Sequence, residues 1–195
     1  MMRSYNLRGT NGSGKTFVAR NLLKKFWGCP IRRTERGKVE VYEGNMNGIP
    51  LFFLGSYETQ CGGCDTIPSV GRVAELLKDL MSRPEHGIVF FEGLMISHML
   101  GTVGAMQAQL GKQNNVLAFL DTPLEVCIER VKLRRLERGN EKPFDPRNIV
   151  ADHPRVRSCM AKAIQQGYKV IVINHDNALE QVETDLMTLA GGGDI

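Results

Sequence analysis

The chain has 195 residues, 42% of them hydrophobic and 24% charged, with a formal net charge of +4. That length fits one α/β domain that buries a full core without disulfides, and the composition is ordinary for a soluble globular protein. No apolar run approaches bilayer length and Met1–Tyr5 is no signal peptide, so a membrane span is excluded and a cytoplasmic location expected. Five cysteines, an odd number scattered along the chain, read as reduced thiols. The basic balance suits a phosphate-rich partner, although many ATP-binding proteins share it.

In chain order, a first apolar strand at Ser4–Leu7 runs into a Gly-rich turn and then a helix from Lys15 to about Trp27. Val39–Glu43 and Ile49–Leu54 follow as strands, and the Gly44–Gly48 stretch between them predicts a β-hairpin or bulged connection. Ser69 is a candidate N-cap for a helix whose Val73, Leu76, Leu77 and Leu80 share one face. Gly87–Glu92 and Val116–Leu120 read as buried strands, and Thr122-Pro123-Leu124-Glu125 as a capping box opening a helix toward Gly139. A further helix spans roughly Asn148–Gln166, with Pro154 expected to delay or kink it. Lys169–Asn174 is the last strand and Leu179–Leu189 the last helix. Strands alternating with amphipathic helices predict a parallel sheet covered on both faces. We therefore expect a single domain over residues 1–190, with residues 191–195 as a flexible tail.

The strongest chemical signal is Gly9-Thr10-Asn11-Gly12-Ser13-Gly14-Lys15-Thr16, a G-x-x-x-x-G-K-[ST] phosphate-binding loop between a strand and a helix. Its glycines let backbone N–H groups turn toward an anion, and the helix N-terminus adds the positive end of its dipole. Lys15 is placed to reach the β- and γ-phosphates of ATP, and the Thr16 hydroxyl to ligate Mg²⁺.

An Asn-Lys-x-Asp base-recognition motif, as in GTPases, and a Leu-Ser-Gly-Gly-Gln signature, as in transport ATPases, are both missing. Arg130, Lys132, Arg134, Arg135 and Arg138 instead crowd one helix, with Arg130 and Arg134 on a common face. They form an Arg-rich lid over the phosphates or a solvated face. Here the chain resembles the nucleoside and nucleotide kinase superfamily. Val116–Arg130 looks like its strand–helix entry to the lid, and Gly167–Asn174 like its final strand, after which the loop packs on adenine. The resemblance implies a P-loop NTPase-type parallel sheet with helices on both faces, a β-hairpin insertion and an Arg-rich lid. It also makes Lys15, Arg130 and Arg134 candidate catalytic cations.

Two acids are candidates for the acceptor end. Glu92 closes an apolar strand at the edge where α/β sheets bind ligands. It is read as support for Mg²⁺ or for the acceptor, or as an exposed strand-end acid. Asp65 is read as an acceptor-orienting base or a turn residue. The Cys61-Gly62-Gly63-Cys64 segment allows zinc, redox or glycine-shaped-loop readings, and only two of the four ligands of a zinc site are in evidence. His86, His98, His153 and His175 are dispersed and receive no role.

Gly55, Tyr57, Cys61, Gly62, Gly63, Cys64, Asp65, Thr66 and Ile67 stand in the order found in a group of phage P-loop kinases that phosphorylate 5-hydroxymethyluracil within DNA. This resemblance implies such DNA as partner, the host cytoplasm as location, and Tyr57, Cys61, Gly62, Gly63, Cys64 and Asp65 as substrate-binding residues. Tyr57 would then stack on an extruded base, and the basic stretch Arg32–Lys38 would suit a phosphate backbone or be a solvated charge run. A kinase of a free nucleoside, nucleotide or other small hydroxyl compound is the alternative. An ATP-driven switch protein is a third reading.

Overall fold

Residues 1–59, 61–101 and 111–195 are described by a computed structural model. Gln60, inside the glycine-rich loop singled out above, lies outside them. Strand β1 (Met2–Arg8) leads into the phosphate-loop sequence, and helix α1 (Lys15–Lys25) follows. Three strands come next: β2 (Cys29–Arg33), β3 (Val39–Met46) and β4 (Ile49–Leu54). Helix α2 (Val70–Met81) precedes β5 (Gly87–Glu92), and a single turn, α3 (Leu94–Ser97), follows it. The chain closes with β6 (Asn115–Asp121), α4 (Leu124–Glu137), α5 (Arg147–Gln165), β7 (Lys169–Asn174) and α6 (Ala178–Ala190).

The strands form one sheet in the order β2-β3-β4-β5-β1-β6-β7, parallel from β4 to β7 with β3 antiparallel to both β2 and β4. β1 lies at the centre of the five parallel strands, and its alternation divides two environments. Tyr5 and Leu7 pack with Val18, Leu22, Val182 and Leu186 of α1 and α6. On the other side of the sheet, α2 contributes Val73, Leu76, Leu77 and Leu80 to a core with Phe52, Val89 and Phe91. Each of those side chains adds about 1.5–3 kcal/mol on burial. Ser69 caps α2 as expected, its Oγ accepting from the Arg72 amide at 3.1 Å.

The hairpin expectation holds, with a tighter turn: Asn47 and Gly48 sit at φ 53° and 88°, so two residues reverse the chain. Four details differ from the sequence reading. β2 was not expected; every residue of it is exposed, so no buried face marks it in the sequence. Thr122 is no capping-box residue, because its hydroxyl donates to the Ser13 carbonyl at 3.1 Å and α4 starts one residue later, after Pro123. Pro154 lies within α5, which starts before it and runs through it. The tail has partners: Arg3 donates to the carbonyls of Gly192 and Gly193, and Lys169 pairs with Asp194.

Candidate active site

Parallel pairing sets the floor of the site. The register of β1 against β5 puts Leu7 opposite Glu92, so the acid stands beside the start of the phosphate loop. Gly12 and Gly14 take φ +86° and +108°, a conformation that favours glycine. Gly12 also needs its missing side chain, since a Cβ there would lie 2.3 Å from the Cys127 carbonyl oxygen on α4. The Ser13 amide closes the turn on the Thr10 carbonyl at 3.1 Å, and the buried Ser13 Oγ has no partner among the described residues. Gly9 donates its amide to Ser97 Oγ at 3.1 Å, tying the loop to α3.

Lys15 is buried at the centre of this cradle, its Nζ donating to the carbonyls of Gly9 (2.7 Å) and Thr10 (3.0 Å). Burial lowers its pKa, and the charges of Glu92 and Asp65 oppose that shift. The Thr16 hydroxyl donates to Glu92 Oε1 at 3.0 Å. Glu92 is 1% exposed, so the reading of an exposed strand-end acid is corrected. Burial first, then the Asp65 charge, pushes its pKa up to about 7 against the pull of Lys15 and Thr16. A buried carboxylate beside a threonine hydroxyl is a hard-oxygen pair suited to Mg²⁺, which keeps waters and few protein ligands.

A cavity of about 800 Å³ opens over this floor. Its walls include Lys15, Thr16, Asp65, Glu92, Arg130 and Arg134, so the structure unites the candidate catalytic residues in one chamber. Arg130 Nη1 donates to the Ser13 carbonyl at 3.1 Å and Arg134 Nη2 to Asn11 Oδ1 at 3.0 Å, which lays that face of α4 on the phosphate loop. The remaining cations of the cluster point elsewhere. Arg135 bonds Asn140 and the Lys142 carbonyl, Arg138 donates to Cys61 Sγ, and Lys132 is exposed. Of the five cations, Arg130 and Arg134 bond the phosphate loop.

Asp65 lines the same chamber, with both oxygens engaged. Oδ2 accepts from the Leu94 amide (2.7 Å) and Oδ1 from the Met95 amide (3.0 Å), so the carboxylate caps α3. The two glycines before it have steric reasons. A Cβ on Gly62 would meet the Tyr57 ring at 2.7 Å and Thr16 Cγ2 at 2.9 Å; one on Gly63 would lie 2.5 Å from Glu92 Oε1. The loop therefore packs directly on the Thr16–Glu92 pair. Cys61 is exposed and lines the cavity, whereas Cys64 is fully buried with its thiol pKa raised by burial.

Tyr57 is a correction. It is 7% exposed and packed against Tyr42, its hydroxyl reaching the Leu54 carbonyl, so it is a core residue and presents no face to a base. The stretch Arg32–Lys38 is largely partnered: Arg32 with Asp79, Arg33 with Glu58, and Lys38 Nζ with the Thr66 carbonyl. It braces the acceptor loop from the sheet edge.

A second cavity, about 720 Å³, lies on the other side of α1 between the phosphate loop and the segment His175–Leu179. That is the loop after the final strand, where the family resemblance led us to expect the adenine. Phe17, 65% exposed, borders both cavities. Sequence reasoning missed Phe17, Ser97, His98 and Arg20, which also border the site. Only Arg20 had a signal, lying one helical turn beyond Thr16 on the same helix face.

No family model matches the chain. Among curated proteins it is 34% identical over 184 residues to the 5-hmdU DNA kinase of Pseudomonas phage PaMx11, covering 93% of this chain and 95% of that one. It is 28% identical over 201 residues to the 5-hmdU DNA kinase of Pseudomonas phage M6, covering 96% and 100%. Among solved structures, a gluconokinase from Sinorhizobium meliloti 1021 aligns with a TM-score of 0.49 at 11% identity, over 97% of this chain and 94% of that one.

Proposed function

The chain belongs to the phage 5-hmdU DNA kinase family, and from that premise we propose that it transfers the γ-phosphate of ATP to the hydroxymethyl group of 5-hydroxymethyluracil in DNA. The observation that carries the site assignment is the Thr16–Glu92 pair, bonded at 3.0 Å beneath a chamber that Lys15, Asp65, Arg130 and Arg134 also line. The chamber is large enough for a nucleotide, and a base within a duplex has to be extruded to enter it. The acceptor is the one for which the phage relatives are named.

In this reading the phosphates lie in the Gly9–Thr16 cradle, and the adenine occupies the cavity beside His175–Leu179. Lys15 exchanges the Gly9 and Thr10 carbonyls for phosphate oxygens and neutralises charge that grows during transfer. Arg130 and Arg134 approach the same group from α4. Thr16 and Glu92 would hold Mg²⁺, which when bound balances the charge on the β- and γ-phosphates. Asp65, held rigidly by the α3 amides, keeps further lone pairs for the acceptor hydroxyl and takes its proton. The hydroxyl oxygen attacks the γ-phosphorus, the bond to the β-bridging oxygen breaks, and ADP leaves. Gly62, Gly63 and Cys61 form the loop wall of the acceptor side, and Cys64 anchors that loop from the core.

The test is incubation with γ-labelled ATP and a panel of acceptors. Label should enter 5-hydroxymethyluracil DNA and not plain thymine DNA. Label entering the free nucleoside or nucleotide but not the polymer would replace this reading with a small-molecule kinase.

A further inference from the structure

The cations that border the acceptor cavity divide by their surroundings. Lys15, Arg130 and Arg134 contact the phosphate loop itself. Arg20 does not. It lies on α1 four residues beyond Thr16, so its side chain leaves the same helix face about 5–6 Å further along, away from the phosphates and toward the acceptor loop. Its Nη2 donates to the carbonyls of Tyr57 (3.4 Å) and Thr59, both neutral. Its Nε–H is buried and has no acceptor among the described residues. Among the described residues no carboxylate pairs with it. A guanidinium bonded to two neutral carbonyls, with one buried donor unused and Glu92 acting on it through charge alone without a direct bond, fits an anion that arrives with the substrate.

We propose that Arg20 binds the phosphodiester on the 5′ side of the acceptor nucleotide, so that the kinase takes its base from a polynucleotide rather than as a bare nucleoside. This inference rests on the DNA acceptor proposed above. The chemistry of the acceptor supports the placement. The C5 edge of a pyrimidine, which carries the hydroxymethyl group, faces its own 5′-phosphate in the usual anti conformation. In this proposal Arg20, one helical turn from Thr16 and lining the same chamber, meets that phosphate when the hydroxymethyl oxygen meets the γ-phosphate. The charge of the guanidinium and the N–H donors that the two carbonyls leave over suit a phosphodiester oxygen. Further cations ring the loop that Arg20 braces: Lys38 on the Thr66 carbonyl, Arg33 beside Glu58, and Arg138 on Cys61.

The experiment uses the full chain and oligonucleotides that carry one 5-hydroxymethyluracil. One oligonucleotide has an uncharged methylphosphonate at the linkage 5′ to that nucleotide, and a control has it several linkages away. The adjacent neutral linkage should raise KM for DNA about 10- to 100-fold, the worth of one hydrogen bond to a charged group, and the distant one should change little. Arg20→Gln should give a similar loss on the unaltered oligonucleotide. Combining the variant with the adjacent methylphosphonate should then lose no more than either alone. Arg20 also holds the loop carbonyls, and a purely structural role would make the two losses multiply. Multiplying losses, or no response to the adjacent methylphosphonate in the unmutated protein, would overturn the proposal. Absence of transfer to the unaltered oligonucleotide would instead sink the DNA-acceptor reading, and this inference with it.

Discussion

Replacing Lys15 with alanine removes an ammonium that is buried and disfavoured by desolvation, so the free protein should not lose stability. Turnover should fall at least about 100-fold, because the charge it places on the transferring group has no substitute. Thermal unfolding beside steady-state kinetics checks both halves; a stable Lys15→Ala protein with near-normal turnover would remove the phosphate-loop mechanism. Glu92→Gln keeps the shape and the Thr16 contact but removes the charge. It should raise the Mg²⁺ concentration needed for half-maximal rate and lower kcat, and an unchanged Mg²⁺ dependence would show that Glu92 is only a structural acid. Asp65→Asn loses one of two amide acceptors at α3, worth about 1 kcal/mol of stability. If Asp65 also takes the hydroxyl proton, kcat falls far more than that stability change explains. Loss of stability with unchanged kcat would leave Asp65 as a cap alone. The phosphate loop was legible in the sequence because each of its residues has a fixed chemical duty at a fixed spacing. Tyr57 misled, since a tyrosine in a loop reads as available until the packing around Tyr42 and Leu54 is known.

At the level of elements, the acceptor side is assembled by contacts between segments distant in sequence. α3 has four residues and no periodic signature, and it is held by Asp65 at one end and by Ser97, bonded to Gly9, at the other. Nothing in the local sequence announces so short a turn, and β2, exposed along its whole length, is hidden for the same reason. The longer pieces were visible: α2 from its Ser69 cap and apolar face, β5 and β7 from their continuous apolar runs. Gly63 tests how closely the loop must pack. With φ +69° and a Cβ that would meet Glu92, Gly63→Ala should displace the carboxylate and reduce kcat with little change in DNA affinity. Retained activity would mean that the loop can move aside. α2 is joined to β3 by a two-point ion pair, Arg72 Nε to Glu40 Oε1 (3.0 Å) and Nη2 to Oε2 (2.8 Å), with Glu40 only 4% exposed. The bonds to Arg72 hold the Glu40 carboxyl below its ordinary value. A lowered carboxylate pKa gives stability that is present above the ordinary value near 4.5 and is lost as pH falls through the folded value. Arg72→Met should therefore destabilise the fold by about 1–3 kcal/mol at neutral pH, the lower part of the range for a broken buried pair because Arg72 is partly exposed. The gap to the unmutated protein should narrow below about pH 4. Denaturant melts at both pH values check this, and a gap independent of pH would assign the loss to packing.

Across the whole molecule, one sheet edge carries two cavities separated by α1, one beside the final-strand loop and one beneath the acceptor loop, with the phosphate loop between them. That layout follows from strand order: β1, central among the parallel strands and flanked by β5 and β6, brings Glu92, the phosphate loop and α4 to a single edge. The parallel α/β arrangement was readable from alternating apolar runs, but the partition of the arginine cluster was not. Only the docking of α4 on Asn11 and Ser13 separates Arg130 and Arg134 from their neighbours. Among the described residues, no helix is long and apolar enough to cross a membrane. The central claim is that the phosphoryl group moves to the base and not to the sugar–phosphate backbone or a strand end. The most direct measurement is a single turnover on an oligonucleotide with one internal 5-hydroxymethyluracil and both ends blocked, digested to nucleosides and resolved by mass. The account predicts that the added phosphate is found on the hydroxymethyl group of that one nucleoside; phosphate recovered on any other nucleoside, or none transferred to the blocked oligonucleotide, would contradict it.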